Sequence, residues 1–166
     1  KTDVNDAAWI AQLLQHGLLK PSYLPPADQR ELRDLTRYRQ SLLDDRARVL
    51  TRIQKLLESA NIKLASVVTD VQSLSAQDIL RALVAGQTDP VLLAQLARGK
   101  LQKKQAELER VLEGQFHEHH RFMLSRLLTH FDFFDAELAL LDAQIERLLQ
   151  RWSAWIRFQE LTGRRR

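Results

Sequence analysis

Hydrophobic side chains recur along most of this chain at three- and four-residue intervals, the spacing that lays one apolar stripe along an α-helix. The first such stretch predicts a helix from about Val4 to His16, carrying Ala7, Ala8, Ile10, Ala11, Leu13 and Leu14. Asp3 stands at its N-cap position, Asp6 in its first turn, and Gly17 closes it. Pro21, Pro25 and Pro26 then impose an extended linker. A second helix opens near Asp28 and meets no stop before Ala60, with Leu32, Leu35, Leu42, Val49, Ile53 and Leu57 along its stripe. At 1.5 Å per residue it would reach roughly 45–50 Å.

Between Asn61 and Gly99 the pattern breaks into short pieces. Ser75 is placed to cap a helix through Ala85, stopped by Gly86; Asp89 and Pro90 open another through Ala97, stopped by Gly99. The last arm is the most regular. Leu124, Leu127, Phe131, Phe134, Leu138, Leu141, Ile145, Leu148, Trp152 and Trp155 alternate three and four apart, a repeat near 3.5 residues. Joined to Leu101–Glu113, with Gly114 as a weak point, the arm would span roughly 80 Å. The prediction is an all-α fold: a long helical hairpin or coiled-coil arm interrupted by a short helical insertion. The repeat suits either an antiparallel hairpin or a coiled coil between chains, and the bulk of its apolar residues favours a homodimer through the arm.

Composition narrows this picture. The chain has 166 residues, 45% of them hydrophobic and 28% charged, which suits one folded domain rather than a disordered segment. Cysteine is absent, excluding disulfides, thiolate metal sites and cysteine nucleophiles. The net charge of +4 permits a polyanionic partner without requiring one. No apolar run approaches the ~18 residues of a membrane-spanning helix. The chain starts at Lys1 and its one methionine is Met123, so it reads as part of a longer protein, and without a signal peptide the expected location is cytoplasmic.

Three groups of residues could carry chemistry. Asp3 and Asp6, three apart on a first helical turn, share a face and could hold a divalent cation, or could simply complement the helix dipole. His117, His119 and His120 form the histidine cluster; His117 and His120 share a helical face with Glu113, but a polar layer flanking Phe116 and Phe122 accounts for them better than a metal. The second helix carries Arg30, Arg33, Arg37, Arg39, Arg46, Arg48, Arg52 and Lys55 with Tyr38 among them, a rod suited to phosphate contacts and to stacking on an unpaired base. Six interleaved acids make a solvated, salt-bridged face an equal alternative.

The opening Lys1-Thr2-Asp3-Val4-Asn5-Asp6-Ala7, continued by Trp9-Ile10-Ala11-Gln12-Leu13-Leu14 and by Arg30-Glu31-Leu32-Arg33-Asp34-Leu35-Thr36-Arg37-Tyr38-Arg39, resembles the bacterial insertion-sequence transposases with a DEDD motif, recombinases guided by a structured bridge RNA. The resemblance runs from residue 1 to about 150. It implies that residues 1–26 are the end of a RuvC-like, ribonuclease-H-like domain, and that residues 27–150 are the helical coiled-coil region that follows. By the same resemblance Asp3 and Asp6 are the third and fourth acids of a four-acid site for Mg²⁺, so they become catalytic and metal-ligand candidates. DNA and a guide RNA become the implied partners, with Arg33, Arg37, Tyr38 and Arg39 as nucleic-acid-binding candidates. The family's first two acids and its serine domain are not recognisable here, so the expectation is a fragment of a transposase, inactive alone and holding no stable Mg²⁺. Residues 151–166 depart from the family pattern. Codons permitted for Arg151 to Leu161, read one frame over, can spell the V-E-R-L-D-x-I-P-G-V that opens the serine domain, so this tail reads as frameshifted or as a divergent basic end. The alternative reading of the whole is a stand-alone helical adaptor that binds protein partners.

Overall fold

A computed structural model describes residues 3–19, 24–68 and 73–162, with the side chains of residues 155, 156 and 158–162 outside that description. Among the described residues every regular element is helical. In order these are α1 (Asp3–Gln15), α2 (Ala27–Ser59), α3 (Leu74–Val84), α4 (Pro90–Ala94), α5 (Gln105–Leu112) and α6 (Glu118–Thr162), with 3-10 turns at Leu64–Ser66 and Gly99–Lys104. None of the described helices is long and apolar enough to cross a membrane.

The main contact is α2 against α6. Asp28 and Glu31, near the start of α2, meet Arg151; Arg39 meets Asp142; Arg46 meets Asp135. Ascending numbers on one helix pair with descending numbers on the other, so the two form an antiparallel hairpin. Leu42, Val49, Ile53 and Leu57 from α2 and Leu124, Leu127, Phe131, Leu138 and Leu148 from α6 are buried. The heptad seam is therefore covered within the chain by α2, the hairpin alternative that the sequence left open. The tail is not a separate piece up to residue 162: α6 runs through Arg151, and Trp152 is half-buried.

Helix ends follow backbone chemistry. Gly17 sits at φ 65°, with its N–H donating to the Leu14 carbonyl and that of Leu18 to Leu13, a Schellman closure of α1. Gly86 closes α3 in the same way. At the end of α2 the left-handed position is taken by Asn61 (φ 60°), whose N–H reaches the Glu58 carbonyl while Ile62 N–H reaches Leu57. Asparagine tolerates this conformation better than other residues with a Cβ.

Four sequence expectations need correction. Asp3 is the first residue of α1 rather than its cap. The cap of α3 is Ser73, which accepts from Ala76 N–H, because the Ser75 hydroxyl is buried and accepts from the Arg98 N–H. The helix opened by Pro90 stops at Ala94, three residues early. Most consequentially, residues 101–113 do not continue into α6: α5 ends at Leu112, the chain turns, and α6 restarts at Glu118. The turn is stitched to the end of α2, with Gln115 N–H donating to the Ala60 carbonyl at 2.8 Å and Lys63 N–H to Val111 at 3.0 Å. A Cβ on Gly114 would press into the Ala60 carbonyl oxygen and lie 2.6 Å from Ile62 Cγ1. Only glycine admits so close an approach of two backbones.

The short elements α3 to α5 and the turn after α2 thus form a helical cap over one end of the hairpin. Ile62, Leu64, Ile79, Leu80, Leu83, Leu93 and Leu108 are nearly or fully excluded from water there. Arg81 fixes α3 to α6 through a two-pronged bond to Asp132, at 2.8 and 3.1 Å.

Candidate nucleic-acid interface and carboxylate pair

Asp3 and Asp6 fall in the first turn of α1, three positions apart and exposed. That spacing sets the two carboxylates on one helical face, where a hard cation could take an oxygen from each. They are not part of a larger donor set: among the described residues no three His, Asp or Glu side chains cluster as a metal site would need. One oxygen from each would supply two of the six ligands of Mg²⁺, an ion that keeps several waters and binds through one or two carboxylates plus phosphates. No residue of α1 is buried, and Val4, Trp9, Ile10 and Leu14 leave their apolar surface exposed.

The histidines are separated by the helix start. Glu113 lies in extended backbone before the turn and does not share a helical face with His117. His120 Nδ1 accepts the His117 backbone N–H at 3.1 Å, so this ring caps an otherwise unsatisfied donor at the start of α6. Its ring lies 5.7 Å from that of Phe116. Burial, reinforced by the neighbouring His117 and His119, pushes the His120 pKa below the ordinary histidine value. The arrangement is that of a polar layer capping a helix, as the sequence suggested.

The arginine candidates of α2 divide between two surfaces. Arg33 and Arg37 are exposed on the side of α2 away from α6, and neither has an ion-pair partner among the described residues. Tyr38 is 53% exposed beside them. Arg39 is elsewhere. Its Nε donates to Asp142 Oδ1 at 2.5 Å and its Nη2 to Oδ2 at 3.3 Å, across the hairpin. That bond raises the guanidinium pKa and lowers that of Asp142. Arg46 is committed likewise, 2.5 Å from Asp135 with its guanidinium 4.4 Å over the Phe131 ring. Arg33, Arg37 and Tyr38 are thus exposed along α2, and Arg39 belongs to the pairing of the hairpin.

One feature that sequence reasoning missed is a cleft of about 350 Å³ between α2 and α6, lined by Asp45, Arg48, Val49, Arg52, His130, Phe133 and Phe134. Its signal was present in the heptad: Phe131 and Phe134 belong to the seam, and Phe133 stands outside it.

Comparison with known families places the N-terminal part of the chain. Residues 1–62 match the family model of the DEDD transposases of IS110-type insertion sequences, described as Transposase. The match spans α1 and all of α2, and it supports the resemblance read from the opening segment over those residues. No curated protein and no solved structure matches the chain.

Proposed function

We propose, from the premise that residues 1–62 are a segment of the DEDD transposase family, that this chain serves DNA transposition by supplying part of a metal site and a nucleic-acid-binding arm. Asp3 and Asp6 are the two carboxylates of that site, to be completed by acids from elsewhere in a full assembly. Magnesium, when bound, supplies positive charge beside a phosphodiester oxygen. The carboxylates of this chain contribute the oxygen ligands that hold and orient it. Their exposure on a first turn supports this reading.

The long helix α2 faces DNA or a structured guide RNA with Arg33, Arg37 and Tyr38, while Arg39 keeps the hairpin in register. What supports the division is pairing: Arg39 is held by Asp142, and the other two arginines have no ion-pair partner among the described residues. A homodimer through the arm would use the outer face of α6, where Phe122 and Leu140 are exposed, because α2 occupies the seam.

The family match carries the reading, and two experiments test it. Purified chain given Mg²⁺, guide RNA, donor DNA and target DNA gives no strand exchange, because two carboxylates fall short of the four-acid site; detected exchange overturns the part-site assignment. In a salt titration of nucleic-acid binding, Arg33→Ala and Arg37→Ala each weaken affinity and lower the slope of log K against log salt by about one unit. Unchanged affinity and slope would return these arginines to a solvated face.

A further inference from the structure

The hairpin has two flanks, and they are finished differently. Along one, Arg39 pairs with Asp142 and Arg46 with Asp135, so charge is matched and the edge of the seam is sealed. The other flank holds the open cleft of about 350 Å³. There Arg48 is engaged by Asp45 at 2.5 Å, while Arg52, one turn further along α2, has no ion-pair partner among the described residues. Phe133 is 57% exposed at the cleft, braced edge-on by Phe134 at 5.6 Å between ring centroids. A phenylalanine exposed to that extent on a helix whose neighbouring phenylalanines are packed costs solubility and is unused by the seam.

We infer that this cleft is a stacking site for an unpaired base of a single-stranded nucleic acid, with Phe133 as the platform and Arg52 as the contact to the adjoining phosphate. The inference rests on the reading of α2 as a nucleic-acid-facing helix and names the place on it. The volume suits a flat ring with part of its sugar. Two arginines against the single Asp45 leave a net positive charge, which favours an anion. An aromatic face beside free arginine is the combination that holds unpaired bases, whereas a paired base keeps its faces inside the duplex. Tyr38 stands a heptad before Asp45 and hence on the same flank, about 10 Å away by helical rise, so a second aromatic lies along the path of the same strand.

The test uses the full chain with labelled single-stranded RNA, single-stranded DNA and a matched duplex, each single strand also made with 2-aminopurine to report stacking. Phe133→Leu and Arg52→Gln are surface changes, checked for an unchanged helical spectrum. Phe133→Leu weakens single-strand binding roughly tenfold or more, removes the 2-aminopurine quenching and leaves both the salt slope and duplex binding as they were. Arg52→Gln weakens binding and lowers the salt slope by about one unit. The RNA and DNA arms show which strand is preferred. If Arg33→Ala and Arg37→Ala weaken binding while Phe133→Leu and Arg52→Gln do not, the cleft inference falls and the reading of α2 stands. If the unaltered chain binds neither single strands nor duplex, both fall.

Discussion

At the capped end of the hairpin, Ile53 and Leu124 have lost all contact with water and Phe131 retains 2% of its surface. At the open end, the seam residues Leu35, Leu141 and Ile145 stay half-buried although they belong to the same apolar repeats. The difference lies in what surrounds each pair of helices. Two helices can hide only the strip along which they touch, and each flank of that strip remains wet. At the capped end α3 and α5 close over the hairpin as a third layer, and the apolar surface there is continuous from Val49 to Phe131. At the open end the edges are finished with ion pairs such as Arg39 with Asp142, whose partners are both exposed and screened by solvent. A heptad repeat thus specifies where two helices meet and leaves open how deeply their contact is buried.

The sharpest way to break this comparison is a matched pair of truncations. Ile53→Ala at the capped end should cost roughly 2–5 kcal/mol, since the fully enclosed site cannot refill the lost volume. Ile145→Ala at the open end should cost less than half as much, because water already reaches the side chain and can occupy the gap. Urea unfolding of both variants at unchanged m-value measures the difference; equal losses would show that the open end is enclosed after all. Amide exchange should agree, with slower exchange in residues 49–59 of α2 than in 28–40.

Next in size is the joint that holds the cap in place. Gly114→Ala should destabilise by roughly 1–3 kcal/mol, because the added methyl group meets the Ala60 carbonyl oxygen and Ile62 side chain. The backbone must separate, loosening the bond from Gln115 N–H to Ala60. Gly99→Ala is the contrast: unlike Gly114 it lies at positive φ (59°), and its Cβ would meet nothing within 4 Å. A larger loss at Gly99 than at Gly114 would show that backbone conformation outweighs close approach.

The capped end should also respond to pH where the open end does not. His120 binds its proton less readily in the folded chain than a free histidine does, whose pKa is near 6.5, since burial and its histidine neighbours oppose the charge. The folded state therefore favours the neutral ring. Its contribution is complete above the ordinary histidine range and is lost as pH falls through that range toward the lower folded pKa. Protonation also removes the acceptor at Nδ1 that caps the His117 N–H. Stability should fall between about pH 7 and 5, and His120→Ala should flatten that part of the curve. The lowered pKa of Asp142 acts further down, below the ordinary carboxylate range, where its bond to Arg39 is lost.

How much of this could be read in advance differs from element to element. The two long helices follow directly from periodicity, and the glycines at 17 and 86 closed their helices where expected, because a left-handed residue at a helix end is a local property. The antiparallel pairing was one of two outcomes. The order of charges, Asp28 and Glu31 toward Arg151 and Arg39 toward Asp142, agrees with it but has meaning only once a register is known. Gly114 stood out as a weak point of the arm, but a full break there was not legible, since it depends on a carbonyl brought from residue 60. Ser73 displaced Ser75 as a cap for the same kind of reason: a tertiary bond to Arg98 had already taken the second hydroxyl. Asp3 and Asp6 were legible as a pair on one helical face, but only family resemblance gives that pair a metal. Phe133 needed the opposite inference, from what the seam does not use.

The smallest effect is expected outside the hairpin altogether. In α1 the apolar residues Trp9, Ile10 and Leu14 are 62%, 52% and 67% exposed, so among the described residues nothing covers the helix's apolar side chains. By the logic of the open end carried one step further, a helix without a partner gains nothing from its apolar stripe. Leu14→Ser should therefore leave the global unfolding free energy within about 0.5 kcal/mol of the original, the range of ordinary surface changes. Circular dichroism should lose a little helical signal, because a 13-residue helix is near the length at which isolated helices are marginal in water. A loss of 2 kcal/mol or more would mean that α1 packs on the hairpin in solution, and the contrast between a covered and an uncovered stripe would have to be redrawn with α1 on the covered side.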